Sequence, residues 1–234
     1  MSTFVLVHGA WHGGWCWNRV ADRLRARGHR VFAPTLTGLG ERSHLLAKDV
    51  GLSTHVDDVV NVIRWEGLDG ITLVGHSYGG VVISAVAEKA GANIASLVFL
   101  DAFIPEDGES MLDVTHSRTS QRWEESLKAS GGLSIAPIPA SVFKVNDADR
   151  AWVDAQCGPH PYKTFVDTVS LSGARDRIEK KAYIRAALYD SVPFRAYYER
   201  VKADPAWQTF EVQSGHDVML DAPDELVRIL ENVA

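Results

Sequence analysis

Six apolar runs, none longer than seven residues, alternate with helical patterns along this chain, and that rhythm limits the folds open to it. The runs are FVLV (4–7), RVFAP (30–34), ITLVG (71–75), SLVFLDA (96–102), KAYIRAA (181–187) and TFEVQ (209–213). They show almost no alternation of polar and apolar residues, as expected of strands covered on both faces of a parallel sheet. Helical patterns lie between them. Val20 and Leu24 precede Gly28, and Val56, Val59, Val60 and Ile63 mark one face after Ser53. Val82, Val86 and Ala90 lead to Gly91, and Pro223 opens a last helix through Leu226, Val227 and Leu230. Strand and helix in turn predict a doubly wound α/β sheet. With 234 residues the chain suits a single domain, 1–234, because a chain this size buries roughly 70% of its unfolded surface.

Residues 103–178 break the rhythm. Pro105, Pro137, Pro139, Pro159 and Pro161, with scattered glycines and aromatics, interrupt any strand–helix order. The stretch is too long for a connecting loop, which predicts a small helical lid inserted over the sheet.

Charge and cysteine content narrow the function. A net charge of −6 with no basic run or basic helical face argues against a nucleic-acid partner. Cys16 and Cys157 are too few for a disulfide scaffold, and no CxxC occurs. From Met1 the sequence enters a strand pattern at once, and no stretch of about 18 apolar residues occurs. These features predict no signal peptide, no membrane span and a cytoplasmic, reduced protein. They leave the oligomeric state open.

Residues 75–79 read GHSYG, at the junction of the ITLV run and the helix that follows. A sharp strand-to-helix turn strains its apex residue and requires neighbours without side chains. Gly75 and Gly79 supply that clearance, Gly80 extends it, and Ser77 is left above the carboxyl edge of the sheet near a helix N-terminus. This is the GxSxG pattern of a serine nucleophile. Such a serine needs a base. His216, in QSGHDVML between the last strand and the last helix, lies in a loop on the same edge. His76 is expected to point away into the sheet. The spacing of His8, His12 and Cys16 falls in a glycine-broken loop rather than on a helix, so no metal site is expected. An oxyanion hole would take the Tyr78 N–H and a donor from the loop HGAWHGG. GLGERS (38–43) lacks the third glycine and the strand-to-helix setting of a dinucleotide fingerprint.

With these pieces the chain resembles the α/β-hydrolase superfamily, and within it the plant methylesterases, such as the salicylate-binding esterases, the hydroxynitrile lyases and their bacterial relatives. The matching segments are FVLVHGAWHGGWCW, GHRVFAPTLTGLG, ITLVGHSYGG, LVFLDAFIPEDGES and SGHDVML. The resemblance implies an α/β-hydrolase fold trimmed to a mainly parallel six-stranded sheet. It also implies Ser77 as nucleophile, His216 as base, and the backbone N–H groups of Ala10 and Tyr78 as oxyanion hole.

The triad acid has two candidates. Most of the superfamily places it after the penultimate strand, where KAYIRAALYDSVPF offers only Asp190. Some members carry it after the strand that follows the nucleophile, and there Asp101 ends SLVFL. The plant esterases have alanine at that position. Asp101 is preferred, because a carboxylate amid VFLDAF is costly to bury without a partner and an imidazolium is a fitting one. Asp190 is the runner-up.

The expected activity is hydrolysis of a small-molecule carboxylic ester through an acyl-enzyme, with no cofactor. One rival is a hydroxynitrile lyase. In those relatives a threonine follows the first-strand histidine and a lysine follows the base, where this chain has Gly9 and Asp217, and a carboxylate beside a departing anion repels it. The other rival is a hydrolase-fold protein that binds a small molecule without turnover. Trp11, Trp15, Phe103, Trp123, Phe143, Trp152, Tyr162 and Phe165 gather near the expected mouth or lid. Trp11, Phe103 and Trp123 are the substrate-binding candidates, and with no arginine cluster the set suggests a lipophilic or aromatic ester.

Overall fold

The computed structural model describes residues 1–115 and 121–234. Eight strands are present among them: β1 (Thr3–Val7), β2 (Arg30–Phe32), β3 (Ile71–His76), β4 (Ile94–Leu100), β5 (Ser134–Ile135), β6 (His160–Pro161), β7 (Lys180–Ala186) and β8 (Trp207–Val212). Six of them form one sheet in the order β2-β1-β3-β4-β7-β8, every pair parallel. The short β5 and β6 pair antiparallel apart from it. Phe4, Val5, Leu6 and Val7 of β1 and Leu97, Val98, Phe99 and Leu100 of β4 are fully buried, as central strands of a parallel sheet require.

The edge strands depart from that expectation. β2 and β8 keep exposed or half-buried positions along most of their length, because an edge strand has a neighbour on one side only. β2 also stops at Phe32, short of Ala33 and Pro34, since proline has no N–H to continue a ladder.

Apolar faces set the helices on the sheet. Helix α1 (Asn18–Ala26) buries Val20, Ala21 and Leu24, and α2 (Leu52–Trp65) buries Val56, Val59 and Ile63. Helix α3 (Gly79–Ala90) is buried along most of its length and packs on α2, β3 and β4. Between β4 and β7 the described residues form four short α-helices: α4 (Met111–Thr115), α5 (Gln121–Ala129), α6 (Arg150–Gln156) and α7 (Lys163–Val166). The helical insertion expected over 103–178 thus also holds the β5–β6 ribbon, which no alternation in the sequence announces, and its residues 116–120 lie outside the described residues. Helix α8 (Val192–Lys202) packs on β7 and β8. The short α9 (Val218–Asp221) precedes α10 (Pro223–Val233), which buries Leu226, Val227, Leu230 and Val233 and packs on α1. Among the described residues no helix is long and apolar enough to cross a membrane.

Strand register sets the level at which the loops begin. His76 pairs with Leu100, and Leu100 with Ile184, so the residues after β3, β4 and β7 leave the sheet at one level on its carboxyl edge.

Candidate active site

Ser77 sits at the tip of β3 with φ +54°, a conformation an L-residue adopts only under constraint. Its N–H donates to Leu100 O at 3.2 Å, and its carbonyl accepts from Phe103 N–H at 3.2 Å. Space explains the glycines. A Cβ on Gly75 would meet Gly79 O at 2.6 Å, one on Gly79 would meet Val7 O at 2.7 Å, and one on Gly80 would collide with Phe103 O. Only glycine lets α3 start this close to β1 and β4.

His216 and Asp101 meet at the same edge. His216 lies between β8 and α9, held by its N–H on Phe143 O at 2.8 Å. Its Nδ1–H donates to Asp101 Oδ2 at 2.7 Å, and Asp101 Oδ1 accepts the Ala186 N–H at 3.1 Å. Asp101 also has a positive φ, +41°, directly after β4. Asp190 is elsewhere: it is an exposed partner of Arg195 at 2.9 Å. Phe194 stacks on the His216 ring at 5.2 Å, with Tyr189, Phe143 and His76 rings also against it. Burial among these rings disfavours the cation and lowers the His216 pKa to about 4, with the charge of Asp217 opposing. Burial also raises Asp101, while the Ala186 N–H opposes. With its proton on Nδ1, His216 keeps a basic Nε2 without a protein partner among the described residues.

His76 is buried, but it does more than fill the sheet: its Nε2–H donates to the His216 carbonyl at 3.1 Å.

Backbone donors come from two places. The Ala10 and Tyr78 N–H groups have no acceptor among the described residues. Tyr78 is fixed by its hydroxyl on His55 Nδ1 at 3.0 Å, and His55 Nε2–H in turn donates to Thr37 O at 2.9 Å. Around Ala10 the loop is held by three histidines. His8 Nδ1–H donates to Gly9 O at 2.8 Å while its Nε2 accepts the Leu36 N–H at 3.0 Å. This fixes the Gly9–Ala10 peptide, which carries the Ala10 N–H. His12 holds Ala10 O at 2.8 Å, and His160 Nδ1 accepts the Trp11 N–H at 3.2 Å. Trp11 itself has φ +66°. The imidazoles of His8 and His12 are thus engaged in hydrogen bonds to backbone groups and, for His12, to the Asp217 carboxylate.

Ser77 and His216 border one cavity of about 200 Å³, lined also by Ala10, Trp11, Phe103, Trp123, Phe143 and Phe194. The three substrate-binding candidates, Trp11, Phe103 and Trp123, are all on its wall. Of the other aromatics only Phe143 joins them; Trp15, Trp152, Tyr162 and Phe165 pack elsewhere, Phe165 stacking on His160 at 4.4 Å. Met111, Thr115, Ile138, Tyr189, Ser191, Pro193 and Phe194 also line the wall without having been substrate-binding candidates in the sequence. Four of these follow β7, and the apolar pair Pro193 and Phe194 in the first turn of α8 is the available signal. Asp217 does not line the cavity: it is fully buried and its Oδ2 accepts from His12 Nε2–H at 3.1 Å, while its charge still acts on His216.

Comparison with known proteins adds to this geometry. Residues 4–229 match the model of the alpha/beta hydrolase family. The chain is 42% identical over 240 residues to a carbendazim hydrolyzing esterase of Nocardioides sp., covering 98% of each chain. It is 26% identical over 250 residues to Methylesterase 7 of Arabidopsis thaliana, covering 99% of this chain and 95% of that one. Among solved structures, an extracellular alpha/beta-hydrolase from a Paenibacillus species superposes with a TM-score of 0.87 at 24% identity, over 100% of this chain and 99% of the other.

Proposed function

From the premise that the chain belongs to the alpha/beta hydrolase family and is a carboxylic-ester hydrolase, we propose that it cleaves small lipophilic or aromatic esters through an acyl-enzyme on Ser77. The observation that carries this reading is the buried Asp101–His216 hydrogen bond beside an apolar cavity that Ser77 also borders. In the proposed reaction the Ser77 hydroxyl oxygen attacks the ester carbonyl carbon and passes its proton to His216 Nε2. The carbonyl oxygen takes up negative charge facing the Ala10 and Tyr78 N–H groups. As the tetrahedral intermediate collapses, the C–O bond to the alcohol breaks and His216 returns the proton to the leaving oxygen. Water then attacks the acyl-enzyme by the same proton route and frees the acid and Ser77. Asp101 holds the tautomer that keeps Nε2 basic and stabilises the imidazolium that forms.

A cavity of about 200 Å³ favours a small substrate, and its aromatic walls favour a flat, neutral one. The relatives named methylesterases support a small alcohol as leaving group. Space at Gly9 bears on the lyase alternative. A Cβ there would lie 3.0 Å from Ser77 Cβ and 2.9 Å from His76 Nδ1, so the threonine of the lyase pattern has no room.

A panel of methyl and ethyl esters, with carbendazim included because the Nocardioides relative hydrolyses it, tests the substrate class. Ser77→Ala tests the chemistry. Loss of the nucleophile should cut turnover on the order of 10⁵–10⁶ and abolish burst-phase acylation and labelling by a serine-directed inhibitor. Near wild-type turnover in that variant would refute the serine mechanism.

A further inference from the structure

We infer that His12 and Asp217 form a positioning pair that locks the loop carrying the Ala10 N–H to the loop carrying His216. The inference rests on the proposed roles of Ala10 and His216.

Three contacts define it. His12 Nδ1–H donates to Ala10 O at 2.8 Å, and His12 Nε2–H donates to Asp217 Oδ2 at 3.1 Å. Trp15 stacks on the ring face at 5.2 Å and 21°. Asp217 follows His216 directly and heads α9, with its carbonyl accepting the Leu220 N–H at 2.8 Å. One buried side chain therefore bridges the peptide after the proposed oxyanion donor and the residue after the proposed base. The peptide it grips is held at both ends, since the Trp11 N–H of the same Ala10–Trp11 unit is fixed by His160.

Because both ring nitrogens face acceptors, His12 carries two protons and pairs with a carboxylate. Burial alone would lower its pKa, but the charge and hydrogen bond of Asp217 outweigh that and raise it. The other titratable groups around it are His8, His76, His160 and His216, each of which burial lowers. Among these rings His12 is the one whose two nitrogens both face oxygens that can only accept, Ala10 O and the Asp217 carboxylate. A buried pair like this is weak evidence for stability, since apolar replacements of similar volume are often neutral. The geometry gives it another task. An oxyanion donor must be placed for the transition state, and a misplacement of about 1 Å costs on the order of 10² in rate.

The test separates position from stability. His12→Ala/Asp217→Asn removes the grip without leaving an orphaned carboxylate. Its kcat should fall ~10²-fold with KM within about twofold of wild type. His12→Asn/Asp217→Asn should recover to within ~10-fold of wild type, because the asparagine Nδ2–H can reach Ala10 O from nearly the place of Nδ1. Folded double variants with wild-type kcat, or a loss confined to KM, would overturn the inference. For variants that do not fold, the wild-type protein supplies the answer by ¹⁵N NMR at pH 7. Two protonated ring nitrogens on His12 support the pair, and one unprotonated nitrogen overturns it. Ser77→Ala keeps the two readings distinct: residual turnover there defeats the proposed chemistry, whereas an inactive Ser77→Ala beside unaffected His12 variants defeats the positioning pair alone.

Discussion

His216 donates its Nδ1–H to Asp101 Oδ2 across 2.7 Å, although 115 residues separate them in the chain. The sheet register creates the meeting: β4 ends level with β3, so Asp101 emerges beside Ser77, and the loop after β8 brings His216 over both. Asp101→Asn should lower kcat on the order of 10⁴, because asparagine offers an N–H where the imidazole needs an acceptor. Asp190→Asn should stay within about twofold, since Asp190 is exposed on Arg195. Steady-state kinetics of the two variants side by side decide the point, and the opposite ranking would return the role to Asp190.

How far the sequence already carried this site depends on the kind of signal each residue gives. Ser77 was legible because its local conformation demands glycines, and their steric need is visible in the letters themselves. Asp101 could be weighed against Asp190 because a carboxylate in an apolar run is anomalous wherever it falls. His12 and Asp217 could not be paired, because their partnership crosses from the loop after β1 to the loop after β8, and neither residue breaks a local rule. Sequence order places Asp217 next to His216 but says nothing of which way its side chain turns. The β5–β6 ribbon was missed for a related reason. With two residues in each strand, it is too short to carry a period, and its pairing is made by the fold around it.

The pH profile of the free enzyme follows from the burial of His216. Its pKa is lowered to about 4, so the imidazole remains a base far below the usual histidine range. Activity requires the neutral ring, hence kcat/KM for a neutral ester should stay level from pH 8 to about 5 and fall as pH drops through about 4. Initial rates after brief exposure to each buffer measure this. An acid limb centred near 6.5 would mean that His216 is solvated in the free enzyme.

Stability should be more sensitive to acid than activity. Burial lowers His8 to about 3 and His55 and His216 to about 4, and lowers His76 and His160 as well. Between those values and 6.5 the unfolded chain binds more protons than the folded one. Their contribution is therefore intact above about pH 6.5 and is lost as pH falls toward 4, at up to about 1.4 kcal/mol per pH unit for each group. His12 and Asp101 act in the opposite sense, both being raised, but they are two against five. Thermal melts should show Tm dropping steeply from pH 6.5 to 5, a range in which ordinary carboxylates hardly titrate. A flat Tm across that range would contradict the neutral state of the buried histidines.

The crossing of α3 over β1 and β4 leaves no room at Gly79. A methyl group there would press on Val7 O at 2.7 Å and His8 O at 3.0 Å, both backbone atoms that cannot swing aside. Gly79→Ala should therefore destabilise the fold by about 1–3 kcal/mol despite alanine's higher helix propensity. It should also lower kcat, because shifting the first turn of α3 moves Ser77 and the Tyr78 N–H. Denaturant unfolding with parallel kinetics checks both, and an unchanged midpoint would show that the crossing has slack.

Substrate size should be set at Trp123. It stands on α5, a helix with no fully buried residue, and its ring tilts over Phe165 at 5.0 Å while bordering the cavity. Removing the indole opens the wall without disturbing Ser77, His216 or Asp101, none of which it supports by a hydrogen bond. Two effects then compete. A large acyl group loses an aromatic contact worth about 0.5–1.5 kcal/mol but escapes an overpacking cost of about 1–3 kcal/mol in a cavity of about 200 Å³. Relief of overpacking is the larger, so Trp123→Ala should accept bulkier acyl groups. A small acetate ester, seated close to Ser77, should change by no more than about twofold. The ratio of kcat/KM for a bulky aromatic ester over ethyl acetate should rise about tenfold, each factor of ten being ~1.4 kcal/mol. An unchanged or reduced ratio would place the size limit on another part of the wall.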